Sequence, residues 1–226
     1  MTQNFLAPLV VLIASATASA ISLSQVDDFN DGFTDTEGWG TSFQGIQILP
    51  DGGPAGTGDG FLSYTSVGGF GANSRMVLPN EGNQWAGDYA ALGVEALSLD
   101  LRNSGNSQFD MRLAIGNSDT WYATTTPTIV PAGTDWQTLT FDLSDSVLSL
   151  VGGGPSTVAQ VLSDVQEIRF LSSVALPTIG SGGKPRGDQL SGTIGIDNVR
   201  VAIPEPSSAL LIAGAGIGLF RRRVRG

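Results

Sequence analysis

The 226-residue chain has no cysteine and no histidine, and only 14% of its residues are charged. Without cysteine there is no disulfide framework and no zinc or iron–sulfur centre held by thiolates. Without histidine the usual general base, the serine–histidine–aspartate triad and imidazole metal ligands are excluded. Positive charge is scarce too: Lys and Arg total 11 against 21 Asp and Glu, a formal net charge of −10. Four of those basic residues, Arg221, Arg222, Arg223 and Arg225, fall in the last six positions. Seven basic and twenty acidic residues remain between Ile21 and Ile203. A body this acidic repels phosphate backbones, so nucleic acid is not an expected partner. Its surface charge suits solubility first and divalent cations second.

What is abundant is glycine, at 31 residues, beside a hydrophobic content of 41%. That pairing suits a packed core built from many short strands and tight turns. The length fits one domain once the ends are set aside. At the N-terminus, residues 5–14 are almost entirely apolar, and Ala16-Thr17-Ala18 and Ala18-Ser19-Ala20 both match the A-x-A cleavage pattern. Residues 1–20 therefore read as a signal peptide with cleavage after Ala20, or else after Ala18. The segment departs from the pattern in having no Lys or Arg ahead of the apolar run.

The other end reads Pro204-Glu205-Pro206, two serines, an apolar run from Ala209 to Phe220, then the arginines. As a helix the run rises only about 18 Å, short of the roughly 30 Å hydrocarbon core. It predicts a weak, temporary membrane helix with the Arg cluster kept on the cytoplasmic side. Pro-Glu-Pro, apolar helix and terminal Arg cluster, in that order, resemble the PEP-CTERM sorting signal. The resemblance implies that Pro204, Glu205, Pro206, Arg221, Arg222 and Arg223 form a sorting motif in residues 204–226. It also implies processing by exosortase, a membrane-embedded cysteine transpeptidase. The expected course is export through the inner membrane, transient anchoring there, and delivery to the cell surface or its exopolysaccharide matrix.

Between the ends, residues 21–203 alternate in the manner of half-buried strands. Phe109, Met111, Leu113 and Ile115 form one such row; Leu97, Leu99 and Leu101 a second; Leu139, Phe141 and Leu143 a third. Residues 61–65, 121–126 and 167–171 predict further strands. Glycine-rich turns such as Asp51-Gly52-Gly53-Pro54 separate them. Val158, Val161, Leu162 and Val165 follow helical spacing, with Ser156 as the candidate N-cap. The expected architecture is all-β: a two-sheet antiparallel sandwich, or jelly roll, with one short helix. The succession from Val26-Asp27-Asp28-Phe29-Asn30-Asp31-Gly32 through Gln84-Trp85-Ala86-Gly87-Asp88-Tyr89 and Asp135-Trp136-Gln137 to Gly195-Ile196-Asp197-Asn198-Val199 resembles galactose-binding-like jelly rolls. These include carbohydrate-binding modules and the laminin IV domain.

That resemblance implies a structural calcium ion between the first and last strands. Its carried-over carboxylates are Asp28 and Asp197, with Asp27 or Asn30 as additions. Ca²⁺ takes six to eight oxygens, which such residues supply. The closing strand agrees: Ile194 and Ile196 share one face while Val199 and Val201 have opposite parity, so a bulge at Asp197-Asn198 is expected. The same residues also read as ordinary turn or capping groups.

Sugar sites stack pyranose rings on exposed aromatics, which nominates Trp85, Tyr89, Trp121 and Tyr122. Each ring reads first as core and only second as ligand-binding. No G-x-S-x-G and no P-loop occurs, and Ser181-Gly182-Gly183-Lys184 matches S-x-x-K only by chance in a Gly/Pro-rich loop. The expected function is non-catalytic: a sorted surface or exopolysaccharide-associated protein with a glycan-binding-like jelly roll. The alternatives are a small glycan-active hydrolase or lyase and a protein-adhesion module.

Overall fold

A computed structural model describes residues 20–31, 36–40, 45–71 and 74–202. The expected signal peptide, save Ala20, and the expected C-terminal helix with its sorting motif lie outside the described residues. Among the described residues no helix is long and apolar enough to cross a membrane. The strands are β1 (Val26–Asp27), β2 (Gly45–Leu49), β3 (Phe61–Val67), β4 (Val77–Asn80), β5 (Ala96–Asn103), β6 (Phe109–Gly116) and β7 (Thr120–Thr124). They continue with β8 (Thr128–Val130), β9 (Gln137–Asp142), β10 (Leu148–Gly153), β11 (Glu167–Ser172), β12 (Thr178–Ile179), β13 (Pro185–Arg186) and β14 (Ser191–Ala202). Two helical turns, α1 (Tyr89–Leu92) and α2 (Val158–Leu162), join them.

The strands form two antiparallel sheets. The first has the order β2-β3-β14-β5-β9 with β1 on β14; the second has β10-β7-β6-β11-β4 with β8 on β6. Alternation decides what lies between them. Leu97, Leu99 and Leu101 of β5, Leu139 and Phe141 of β9, and Phe109, Met111, Leu113 and Ile115 of β6 all point into one core. Phe170 of β11 sits at its centre, stacked on Trp39 at 5.3 Å and tilted against Phe141 at 5.6 Å. Fully burying such aliphatic and aromatic side chains contributes about 1.5–3 kcal/mol each. This is the two-sheet sandwich that the alternation predicts.

The expected bulge is present. Pairing of β14 with β5 shifts register between Asp197 and Arg200. Asn198 takes φ 50°, a left-handed conformation that asparagine tolerates. The extra residue returns Val199 and Val201 to the face already used by Ile194 and Ile196. The helix ends differ from expectation. The cap of α2 is Thr157, one residue after Ser156: its hydroxyl accepts from Gln160 N at 3.3 Å, and Gln160 Oε1 accepts from Thr157 N at 2.8 Å. This reciprocal box fixes the start. A second helical turn, α1, was not anticipated. Four residues are too few for periodicity to register, and its signals are local: Asp88 accepting from Ala91 N and a left-handed Gly93 after the last turn.

The outer face of the second sheet carries a separate apolar cluster: Val77, Ala114, Trp121, Ala123 and Leu171, joined by Val151 and Ile179. The β12–β13 hairpin covers it. Lys184 at the hairpin's end pairs with Glu167 at 2.5 Å and Glu81 at 3.3 Å, and Arg169 donates to Pro185 O at 3.1 Å. The Trp121 indole lies flat against Gly116, where a Cβ would come within 2.4 Å of the ring. Gly116→Ala therefore forces the indole or β7 to shift. The expected cost is about 1–3 kcal/mol, read as a lower urea midpoint with an unchanged m-value.

Candidate functional site

The nominated aromatics do not form a stacking platform. Trp85 and Tyr89 are fully buried in the main core, and Tyr89 donates its hydroxyl to Trp85 O at 2.8 Å. Trp121 is buried under the hairpin, with the Arg169 guanidinium 5.4 Å from its ring centre. Tyr122 points into the sandwich and donates to Ser156 O at 2.9 Å. Trp85, Tyr89 and Trp121 thus spend their ring faces on packing, while Tyr122 is half-buried. Trp136 is the half-exposed exception among the tryptophans. It lies on the outer face of the first sheet, edge-on to Phe61 at 5.4 Å and 5.1 Å from the Arg102 guanidinium, and donates to Gly52 O at 3.0 Å.

Asp27 has a role that sequence reasoning missed. Its Oδ2 accepts from Trp39 Nε1 at 2.7 Å and from Trp85 Nε1 at 2.6 Å. It is 4% exposed. Both indole donors are held by this one carboxylate oxygen. Burial pushes its pKa above the ordinary carboxylate range, against the pull of the two indoles and of Gln25. Glu37 hydrogen-bonds to it and is pushed up to about 8, first by burial and then by the charges of Asp27, Asp31 and Asp28. With its pKa near 8, Glu37 keeps its proton at neutral pH. An open polar cleft of about 590 Å³, also lined by Ser22, Ser24 and Gln84, lies over the pair. Trp39 and Trp85 stand 12 and 58 residues from Asp27, so no local pattern could have announced the cluster.

A second group of carboxylates gathers at the bulge. Asp197 is fully buried, with its oxygens accepting from Asn198 N at 2.7 Å and Asn198 Nδ2 at 3.1 Å. Burial pushes its pKa up to about 7; the Asn198 backbone N–H opposes the shift, and the charges of Asp59, Asp100 and Asp28 add to it. Asp28 and Asn30 arrive from the opening segment because Phe29 adopts φ 52° and sends its ring into the core. Asn30 Oδ1 accepts from Gly60 N at 2.7 Å, and Asn30 Nδ2 donates to Asp59 Oδ1 at 3.3 Å. Asp28, Asn30 and Asp197 thus share one region, joined by Asp59 and Asp100, which the sequence had not singled out. A buried carboxylate among like charges has the donor chemistry a cation needs. As placed, no three acidic side chains among the described residues stand at metal-ligand spacing.

Comparison with known proteins adds three findings. No curated protein matches the chain. Among solved structures, an exo-β-agarase is similar with a TM-score of 0.55 at 13% identity, over 82% of this chain and 25% of that one. A second agarase gives 0.50 at 13% identity, over 77% and 24%. The chain thus spans about a quarter of the length of either agarase. A family 11 carbohydrate-binding module from a cellulosomal cellulase of Clostridium thermocellum matches over 83% of this chain and 99% of its own, at 12% identity and a TM-score of 0.46. At such identities the likeness is one of fold. Residues 202–224 match the PEP-CTERM protein-sorting motif, so this chain carries that motif directly after a two-sheet, jelly-roll-like domain.

Proposed function

We propose that this is an exported surface protein, processed by exosortase at its C-terminal motif, whose jelly roll binds glycan without catalysis and is stabilised by a calcium ion. The observation that carries the reading is the junction at residue 202. The sorting motif begins on the last residue of β14, so folded domain and sorting signal adjoin with no linker. Support for glycan binding comes from the shared fold: the agarases act on a polysaccharide by name, and carbohydrate-binding modules are named for binding one.

Support for a non-catalytic role comes from the Asp27–Glu37 cleft. Glycosidases separate two carboxyl groups by about 5–9.5 Å so that a sugar bond lies between them. Asp27 and Glu37 are instead hydrogen-bonded to each other, and Asp27 is fixed by two indoles. Their arrangement serves to hold a proton within the fold.

Asp197 and Asp28 would hold the calcium ion, with Asn30 and Asp59 beside them, and the ion would supply positive charge that burial and mutual repulsion call for. The pH dependence follows. Asp197 titrates near 7 when folded against an ordinary value of 3.8, so between these values the folded state binds more protons than the unfolded one. Stability must therefore fall as pH rises through that window. Bound calcium removes the penalty. In EDTA, Tm should decline between about pH 4 and pH 7, and Asp197→Asn should make that decline shallower, leaving the share due to Glu37, whose pKa is also raised, to about 8. At pH 7.5, calcium at a hundredfold excess over Kd should add about 2.7 kcal/mol, a rise of several degrees in Tm for a domain of this size. A Tm indifferent to calcium and EDTA would remove the ion from the account.

Sorting has its own test. Glu205→Ala should leave full-length protein in the inner membrane fraction, detected by immunoblot, with the released form lost. Normal release of that variant would reject the exosortase assignment.

A further inference from the structure

The β12–β13 hairpin covers the apolar cluster on the second sheet's outer face, and the 51–60 loop reaches Arg102 and Trp136 on the first, but the edge between the sheets is open. There a half-enclosed pocket of about 290 Å³ lies between β9, the last strand of its sheet, and the 124–128 corner that follows β7. Thr140, Phe141 and Asp142 of β9 form one wall; Thr124, Thr125 and Thr128 form the other; Ser146 and Val147 close the end. As an edge strand, β9 turns alternate backbone N–H and C=O groups away from its only neighbour.

The pocket is preformed. Arg112 Nη1 donates to both Thr124 O and Thr125 O at 2.6 Å, and Thr125 N donates to Val147 O at 2.8 Å. The Thr125 hydroxyl meets Ser149 Oγ at 2.8 Å. One hydroxyl is left over. Thr124 is 6% exposed, the most buried of the lining hydroxyl residues, and its Oγ1 has no hydrogen-bond partner in the protein. A buried hydroxyl left unpaired is costly; as placed Thr124 Oγ1 is shut off from solvent, and a turn about its Cα–Cβ bond toward the pocket lets an incoming hydroxyl satisfy it. Asp142 spends Oδ1 on Ser144 N at 2.6 Å, which leaves its second oxygen to accept.

The lining fixes the class of ligand. Hydroxyls and backbone groups that both donate and accept, one carboxylate, and small apolar patches from Phe141 and Val147 match a ring that carries hydroxyls on its edge and C–H on its faces. Ligand pockets for drug-sized molecules run from about 300 Å³ upward, so this one takes a single ring. No Lys or Arg lines it, and Asp142 repels a second negative charge. We propose that this edge pocket binds one neutral sugar ring, a terminal or branch residue of a surface glycan, with Thr124 and Asp142 as its polar contacts. The proposal rests on the glycan-binding reading above and names the site for it.

The test uses the full chain in a detergent without a sugar headgroup. D-glucose, D-galactose, D-mannose and neutral β-linked tetrasaccharides are titrated by saturation-transfer NMR, with glucuronate and galacturonate as anionic counterparts. At least one neutral sugar should bind. Thr124→Val, which keeps the side-chain volume, should weaken it about threefold to tenfold, and Asp142→Ala about tenfold or more. Tm should not fall in Thr124→Val, whose Oγ1 has no protein partner to lose, and should fall by no more than a few degrees in Asp142→Ala, which loses one exposed bond from Ser144 N. If the parent protein binds and both variants bind equally well, the pocket is wrong while the glycan reading stands. Uronates that bind as tightly as the neutral sugars overturn the ligand class. If the parent binds no sugar, the glycan reading itself fails and the pocket falls with it.

Discussion

The fold depends on one buried carboxylate. Asp27 lies on β1, which pairs with β14 of the first sheet. Its two indole donors belong elsewhere. Trp39 bridges to Asn80 of β4 and stacks on Phe170 of β11, both in the second sheet, while Trp85 lies in the segment between β4 and β5. One side chain thus ties the opening strand to both layers. Buried hydrogen bonds are costly to lose, about 1–3 kcal/mol where a partner is left unpaired. Two of them from fully buried indoles specify where both rings sit. Glu37 completes the arrangement by holding the proton that a second carboxyl in such a place must keep.

Given this closure, few large rings are exposed among the described residues. Its interior aromatics are needed for packing, so rings that a sugar site would require are held inside. The second sheet's outer face is closed by its own hairpin, through Ile179 against the Trp121 cluster and through the Glu81, Glu167, Arg169 and Lys184 charges. The first sheet's outer face carries the Asp197 region and the Trp136–Arg102–Phe61 contact, drawn together by Gly52 O accepting from both Trp136 and Arg102. A glycan-binding role for this chain therefore falls to edges and clefts, and not to an open aromatic plane.

The sorting motif adjoins this body without an intervening linker, because β14 ends on residue 202 where the motif begins. The same strand carries the bulge at Asp197 and the central pairings with β3 and β5. Sorting signal, acidic region and sheet centre thus lie along one continuous stretch of chain.

How much of this was legible beforehand follows from the range of each interaction. The strands of the core were written as alternation at period two, and β5, β6, β9 and β11 formed where that alternation placed them. The parity break at Asp197-Asn198 foretold the bulge, since a one-residue insertion is the local remedy for a face that switches. The Pro-Glu-Pro, apolar and arginine succession identified the sorting tail because such a signal is read as linear sequence. Which face each tryptophan served was different. Trp85, Tyr89 and Trp121 looked the same in sequence whether they stacked on sugar or packed inside, Trp85 beside Trp39 and Trp121 against Gly116, because a ring is equally apolar in either setting. Glu37, Asp59, the Thr124 pocket and the cover over Trp121 went unseen for the same reason. Each is made by residues tens of positions apart that only the pairing of strands brings within hydrogen-bonding distance. Sequence alone therefore determined strands, bulge and sorting tail, while burial and partner choice were decided by the closing of two sheets on each other.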